Sequence, residues 1–308
     1  MQLIVYLLFY ALLWCISILP FRVLYIFSDF SRFILYTVGR YRVKVVRKNL
    51  RLAFPDKPEK ELRVLEKKFY HHFFDTLLEM MKSMTISQEE IHKRYVFTNL
   101  EVLKKYEDEN QSIMLVLGHY ANWEWVMCLG DFVKHEGFGI YTPLANKKID
   151  GLIRKIRKRN NAELISRYHA VRVMLKHRSE KKLALYGLIS DQSPQMRHAH
   201  HWAKFLGVTV PVYAGAEIMA KKFDAAVVFM EVEKVKRGYY NATFKVISDV
   251  PKEVPNYQIT DTFNQLLEAE IRKQPEYYLW THNRFKHKDK VPAEYQYLNS
   301  EDTKEVTK

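Results

Sequence analysis

Residues 113–117 read Ile-Met-Leu-Val-Leu, five apolar side chains without a polar break, and the run stops at Gly118. Successive side chains of a strand point to opposite faces, so an all-apolar strand has no face left for water. Such a strand belongs inside a mainly parallel sheet covered by helices on both sides. A second run, residues 183–189, ends at Ser190-Asp191, and residues 138–142 supply a third candidate strand, with a strongly basic helix predicted over residues 150–160. Residues 225–234 and 239–247 flank Arg237-Gly238 and predict a hairpin. Residues 56–84, which begin after Pro55, carry Leu62, Leu65, Phe69, Phe73, Leu77 and Met80 at helical spacing, and residues 260–273 predict a further helix. Strands alternating with helices give an α/β layer fold. The absence of an internal repeat or a Gly/Ser linker places residues 40–291 in one domain. Residues 292–308 are polar enough to form a mobile tail.

The N-terminus obeys a different rule. Residues 3–19 are an apolar stretch with no charge and only Ser17 as a clear polar interruption. Spanning a bilayer core of about 30 Å takes about 20 helical residues, with about 17 as the lower limit. The stretch has no basic leader and no small-residue cleavage site, so it reads as a retained membrane-anchor helix and not as a cleaved signal. Residues 21–39 are also apolar and aromatic but are broken by Arg22, Asp29 and Arg32, a pattern suited to a helix lying in the membrane interface. Residues 1–39 therefore form an anchor and interfacial unit. Arg40, Arg42, Lys44, Arg47, Lys48 and Arg51 follow before the next acid, Asp56. That basic cluster faces anionic phospholipid and sets the rest of the chain on the cytoplasmic side.

A formal charge of +14 demands something negative: nucleic acid, a phospholipid surface, an acidic protein or a phosphorylated substrate. The chain has no RNP-like, zinc-finger or helix-turn-helix signature, and nucleic acid leaves the apolar N-terminus unexplained, so no nucleic-acid partner is expected. A membrane-associated binding protein without catalysis is the remaining non-enzymatic reading. Lys147, Lys148, Arg154, Lys155, Arg157, Lys158 and Arg159 lie on or beside the basic helix. They suit either docking of an acidic carrier protein or a solvated helix face. Cys15 and Cys128 are the only cysteines, which excludes a disulfide framework and a CxxC pair and fits a reducing compartment.

Chemistry concentrates after the first buried strand, in Gly118-His119-Tyr120-Ala121-Asn122-Trp123-Glu124. Open α/β sheets carry their reactive groups at strand ends, where exposed loops stand on a rigid scaffold. In one continuous helix His119 and Glu124 would sit about 140° apart. They meet if His119 ends the strand, the chain turns, and Glu124 enters a helix capped by Asn122. A carboxylate on one imidazole nitrogen fixes the tautomer and raises the basicity of the other, giving a dyad that activates a hydroxyl brought by the substrate. No GxSxG or other Ser or Cys nucleophile motif competes. His198, His200 and His201 lack a nearby carboxylate or cysteine to complete a metal set, so no metal is expected. With Arg197 and Lys204 they suit a phosphate or sugar-acid contact.

These motifs carry a resemblance. His-x4-Glu at His119 and Glu124 resembles the signature of the glycerolipid acyltransferase superfamily. VRKNLRLAFP at residues 46–55, Ser166-Arg167, SDQ at residues 190–192 and YLWTHNRFK at residues 278–286 resemble its bacterial lipid A late-acyltransferase branch, over nearly the whole chain. The resemblance implies that His119 is the general base and Glu124 its orienting partner. It also implies that Arg167 and Asp191 lie close to the site and that Arg284 belongs to a C-terminal basic motif. The implied activity is transfer of a fatty acyl chain from an acyl-carrier-protein thioester, with no cofactor, to a hydroxyl of a lipid A precursor or another lysolipid at the cytoplasmic face of the bacterial inner membrane. The histidine-rich segment after Asp191 departs from the enterobacterial pattern, which leaves the acceptor open.

Overall fold

The structure, a computed structural model, describes residues 2–158 and 162–299. It opens with α1 (Gln2–Ile18), α2 (Phe21–Arg32), α3 (Val43–Ala53), α4 (Glu59–Lys82) and α5 (Gln88–Arg94). Then come β1 (Tyr95–Phe97), α6 (Glu101–Asp108), β2 (Ile113–Leu117), β3 (Glu136–Tyr141), α7 (Lys147–Lys158) and β4 (Ala162–Ser166). The chain continues with α8 (Ala170–Ser179), β5 (Ala184–Ile189), β6 (His201–Phe205), β7 (Val208–Val212), α9 (Gly215–Phe223), β8 (Ala226–Lys236), β9 (Tyr239–Ser248) and α10 (Gln258–Lys273). Seven strands form one sheet in the order β1-β9-β8-β2-β5-β3-β4, while β6 and β7 pair apart.

The sheet is the one that the apolar runs demand. Strand β2 lies between β5 and β8, parallel to both, and all five of its residues are buried. Only β8 and β9 pair antiparallel in this sheet, through the hairpin at Arg237-Gly238, where Gly238 adopts φ +74°. The predicted strands and long helices appear, with ends moved by a few residues. The basic helix starts earlier than the sequence suggests, at Lys147. Strands β1, β4, β6 and β7 have no counterpart in the sequence reading.

The N-terminus corrects one expectation. Among the described residues no helix is long and apolar enough to cross a membrane. Helix α1 stops at Ile18, and its end is tied down: Lys82 Nζ donates to the carbonyls of Ser17 and Leu19 at 2.7 and 2.8 Å, and Thr85 also donates to Ser17. Ile16 and Leu24 pack on Leu78 of α4. Of the charges interrupting α2, Asp29 turns to a protein partner, since Arg237 binds both it and the buried Asp75 of α4, whereas Arg22 is exposed. On its other side α2 exposes Val23, Ile26, Phe27 and Phe30, and Phe33, Ile34 and Leu35 continue the apolar surface. Of the six cations that follow, Arg47 pairs with Glu66 and Arg51 with Glu59, whereas Arg40, Arg42, Lys44 and Lys48 are exposed.

Candidate active site

Register brings the central pair together. Parallel β2 and β5 align Leu117 with Ile189, and His119 and Asp191 each stand two residues beyond that pair, at the carboxyl end of the sheet. His119 Nδ1 lies 2.6 Å from Asp191 Oδ1. Asp191 is 1 % exposed. Burial pushes its carboxyl up, but the His119 imidazole, by charge and by hydrogen bond, and backbone donors outweigh this and leave it below the ordinary value. The proton on Nδ1 is thereby fixed toward Asp191, and Nε2 keeps its lone pair. Gln192 Nε2 stands 3.3 Å from that nitrogen, and Trp123 packs edge-on against the ring.

The loop after His119 is held from several sides. Gly118 faces Leu267 of α10 so closely that an added Cβ would come within 2.5 Å of Leu267 Cδ1. The carbonyl of His119 accepts from Leu279 N at 3.1 Å, and Ala121 N donates to Tyr277 O at 3.0 Å. Ala121 sits at φ +47°, the left-handed region, which costs a non-glycine residue roughly 1–2 kcal/mol. Asn122 Oδ1 accepts from Trp125 N at 3.2 Å, the turn-bridging bond expected of a cap, although the following residues, Trp125–Asp131, form a 3₁₀ segment.

Residues of the C-terminal motif complete the site. Tyr278 is buried close to Asp191, and burial together with that charge pushes its hydroxyl up; His282 Nε2 accepts from Ser193 N at 3.1 Å. Burial pushes the His282 imidazole down to about 4, with the Arg284 charge adding to burial and Asp191 opposing it. Arg284 is 1 % exposed and donates from Nη1 to Pro211 O at 3.0 Å, with its guanidinium over Phe205. Asn49 Nδ2 donates to the carbonyls of Trp280 and His282 at 2.8 and 2.6 Å. Two of the sequence motifs, distant in the chain, are thus joined in the fold.

Glu124 does not meet His119 as expected. Its two oxygens receive Arg157 Nη2 at 2.5 Å and Nε at 3.1 Å, which ties the loop to α7. The left-handed turn at Ala121 and the 3₁₀ start at Trp125 direct Glu124 toward α7, and Asp191 takes the place foreseen for it. Arg157 is therefore an ion-pair partner at the site and not a free cation of a docking face. Lys147, Lys148, Arg154 and Lys155 are exposed on α7, and Arg159 lies outside the described residues. Lys158 closes the helix.

The other expected substrate contacts are more dispersed. Arg167 is exposed at the end of β4 with its guanidinium over Tyr168, Arg197 is exposed in a short 3₁₀ turn, and Lys204 is exposed on β6. His198 and His200 are exposed, while His201 is buried and bonds Asp261 at 2.7 Å. Gln192, Tyr278 and His282 stand at the centre without having been assigned a part from the sequence.

An apolar cavity, with about 430 Å³ of empty space including its mouth, lies along the same sheet; its lining reaches Leu117 but neither His119 nor Asp191. Its lining runs from Leu117, two residues before His119, to His135 near the opposite end of the sheet. Val126 and Met127 cover it. On the sheet, Leu115, Gly187 and Gly139 are registered neighbours on β2, β5 and β3, so they share one face, where Gly187 leaves open space and Leu164 packs against Gly139.

Residues 1–287 match the family described as bacterial lipid A biosynthesis acyltransferase. Among characterised sequences, the chain is 27% identical over 271 residues to a lipid A biosynthesis acyltransferase of Haemophilus influenzae, covering 84% of this chain and 82% of the relative. It is 24% identical over 299 residues to the lipid A biosynthesis lauroyltransferase of Escherichia coli K12, covering 92% of each. It is 25% identical over 251 residues to the lipid A biosynthesis palmitoleoyltransferase of the same organism, covering 80% of this chain and 79% of the relative.

Proposed function

The chain belongs to the bacterial lipid A biosynthesis acyltransferase family and is an O-acyltransferase; from that premise we propose that it moves a fatty acyl chain from an acyl-carrier-protein thioester to a hydroxyl of a lipid A precursor at the cytoplasmic face of the inner membrane, with His119 as general base and Asp191 as its orienting carboxylate. The observation that carries this reading is the 2.6 Å contact between His119 Nδ1 and Asp191 at adjacent strand ends of the sheet along which the apolar cavity lies. His119 Nε2 takes the proton of the acceptor hydroxyl as its oxygen attacks the thioester carbon. The tetrahedral oxyanion collapses, the carbon–sulfur bond breaks, and the imidazolium returns the proton to the departing thiolate. Asp191 stabilises the imidazolium while it lasts. The acceptor hydroxyl displaces the Gln192 amide from Nε2. No covalent acyl-enzyme is needed, so both substrates bind together.

The remaining surfaces serve the substrates. The apolar cavity takes the acyl chain, which runs down the sheet face away from His119. The exposed cations of α7, Lys155 among them, receive the acidic carrier. Arg167, Arg197 and Lys204 belong to the acceptor side, where phosphates and sugar acids call for cations, while Arg284, expected there too, is buried over Phe205 and supports the site from within. The exposed apolar side of α1 and α2, flanked by Arg40, Arg42, Lys44 and Lys48, lies in the anionic phospholipid interface without spanning it.

The test uses full-length protein in detergent with acyl-loaded carrier and a Kdo-bearing lipid A precursor. His119→Ala abolishes transfer, and Asp191→Asn lowers kcat by roughly 10³–10⁴-fold. Full activity in His119→Ala rejects the mechanism, and absence of transfer by the unmodified protein rejects these substrates.

A further inference from the structure

Beneath the loop that carries His119 lies a buried acid that the reaction does not consume. Glu79 of α4 is 0 % exposed. Its Oε2 accepts from Asn122 Nδ2 and from the Tyr240 hydroxyl, each at 2.8 Å, and its Oε1 accepts from the Tyr25 hydroxyl at 2.8 Å. Three donors thus converge on one carboxylate from three separate segments: the loop after β2, strand β9 and helix α2. Burial pushes this carboxyl up, and the Lys234 charge and the hydroxyl donors oppose that rise. A buried acid carries a large desolvation cost, which an apolar residue would avoid if α4 needed only packing here.

What Glu79 holds is the side chain that shapes the turn. Asn122 is itself 0 % exposed, and while Nδ2 faces Glu79, Oδ1 accepts from Trp125 N. The preceding residue is Ala121, a non-glycine residue in the left-handed region, and backbone conformations of this kind persist only where their surroundings fix them. Two peptide links before Ala121 stands His119. We infer that Glu79 is a positioning residue for acyl transfer, which fixes Asn122 and through it the turn that aims His119 at Asp191 and at the acceptor hydroxyl. The inference rests on His119 being the base and adds a distant determinant to that reading. Helix α2 joins the same carboxylate through Tyr25, so the helix with the exposed apolar side and the reactive loop share one anchoring point.

An exchange of functional groups tests this. Glu79→Gln places an amide where three donors converge, and Asn122→Asp opposes two carboxylates. The double variant restores a complementary pair with the roles reversed, because the amide on α4 can then donate to the carboxylate on the loop. Each single variant lowers kcat on the order of 100-fold with KM for both substrates nearly unchanged, as expected for misplaced reacting groups. The double variant recovers to within about tenfold of the unmodified protein, the non-additivity of coupled neighbours. A readout independent of substrate is the downfield Nδ1 proton resonance of His119, identified by its loss in His119→Ala. It shifts or broadens in the singles and returns in the double. Should either single fail to fold, Asn122→Ala, which leaves both tyrosines on Glu79, carries the test by the same two readouts. Unchanged kcat with an unchanged resonance in a folded single variant overturns the inference, as does a double variant no better than the singles. Failure of the functional reading appears separately, as absent transfer by the unmodified protein, and the resonance still decides the role of Glu79.

Discussion

Glu124 and Arg157 form a two-point ion pair between the loop after β2 and helix α7, with Nη2 2.5 Å from one carboxylate oxygen and Nε 3.1 Å from the other. Both side chains are mostly covered, at 13% and 21% exposure, so neither charge is well served by water if its partner is removed. Glu124→Ala and Arg157→Ala are each expected to lower kcat/KM by a similar factor, and the double variant to be no worse than either single, as in coupled pairs. Fully additive losses would show that the two side chains act apart.

His282 gives the fold an acid-sensitive point. It accepts a hydrogen bond from Ser193 N through Nε2 and so must be neutral there, and burial holds it down at about 4. In the unfolded chain a histidine titrates near about 6.5, so between these values the unfolded state binds more protons and stability rises with pH. Melting temperature is therefore expected to fall progressively as pH is lowered from about 6.5 toward 4. His282→Gln, which keeps an acceptor without a titrating ring, flattens that part of the profile. An unaltered slope in this variant would place the sensitivity elsewhere.

Gly187 offers a handle on acyl chain length. A Cβ built on it finds only Phe138 O, at 3.9 Å, whereas one on Gly139 would come 3.0 Å from Leu164 Cδ2. Gly187 lies level with Leu115, four residues before His119, or about 13 Å along the strand at about 3.3 Å per residue. Gly187→Val should fold and shift the transferred chains toward shorter ones, measured by mass spectrometry of the product from a mixed acyl-carrier pool. An unchanged chain distribution would remove this cavity from donor selection.

Helix α7 presents Arg154 and Lys155 to solvent. Reversing both to Glu should raise KM for the acylated carrier about tenfold while leaving kcat near its starting value, and added salt should narrow the difference. A KM unaffected by the reversal would leave α7 as a solvated face.

The central sheet was legible because strands buried on both faces leave an unmistakable trace, as β2 and β5 do. The His119–Asp191 pair was only half legible. Each apolar run ends in a polar residue at the same offset, Gly118-His119 and Ser190-Asp191, but which strands become neighbours depends on long-range packing that no local pattern records. Glu124 looked like the closer partner because it is nearer in sequence, and the left-handed turn at Ala121, which directs it to Arg157, is carried by an alanine that gives no warning of it. The short strand β4, Ala162–Ser166, mixes polar and apolar residues and escaped notice. At the N-terminus, hydropathy alone does not separate a run close to the lower limit for spanning from a helix too short to span. The polar ties of Lys82 and Thr85 to the end of α1 come from residues more than sixty positions away.

The cluster that binds α2 to the body of the protein also imposes an order on biosynthesis. Asp29 and Asp75 emerge early from the ribosome, while Arg237, which joins them, follows Asp29 by 208 residues and Asp75 by 162. During most of translation the two acids lack this counter-charge, while the hydrogen bonds of Tyr25 to Glu79 and of Ser28 to Asp75 need only α4. The β8–β9 hairpin, which carries Arg237, therefore supplies the last of the polar ties between α2 and the body of the protein.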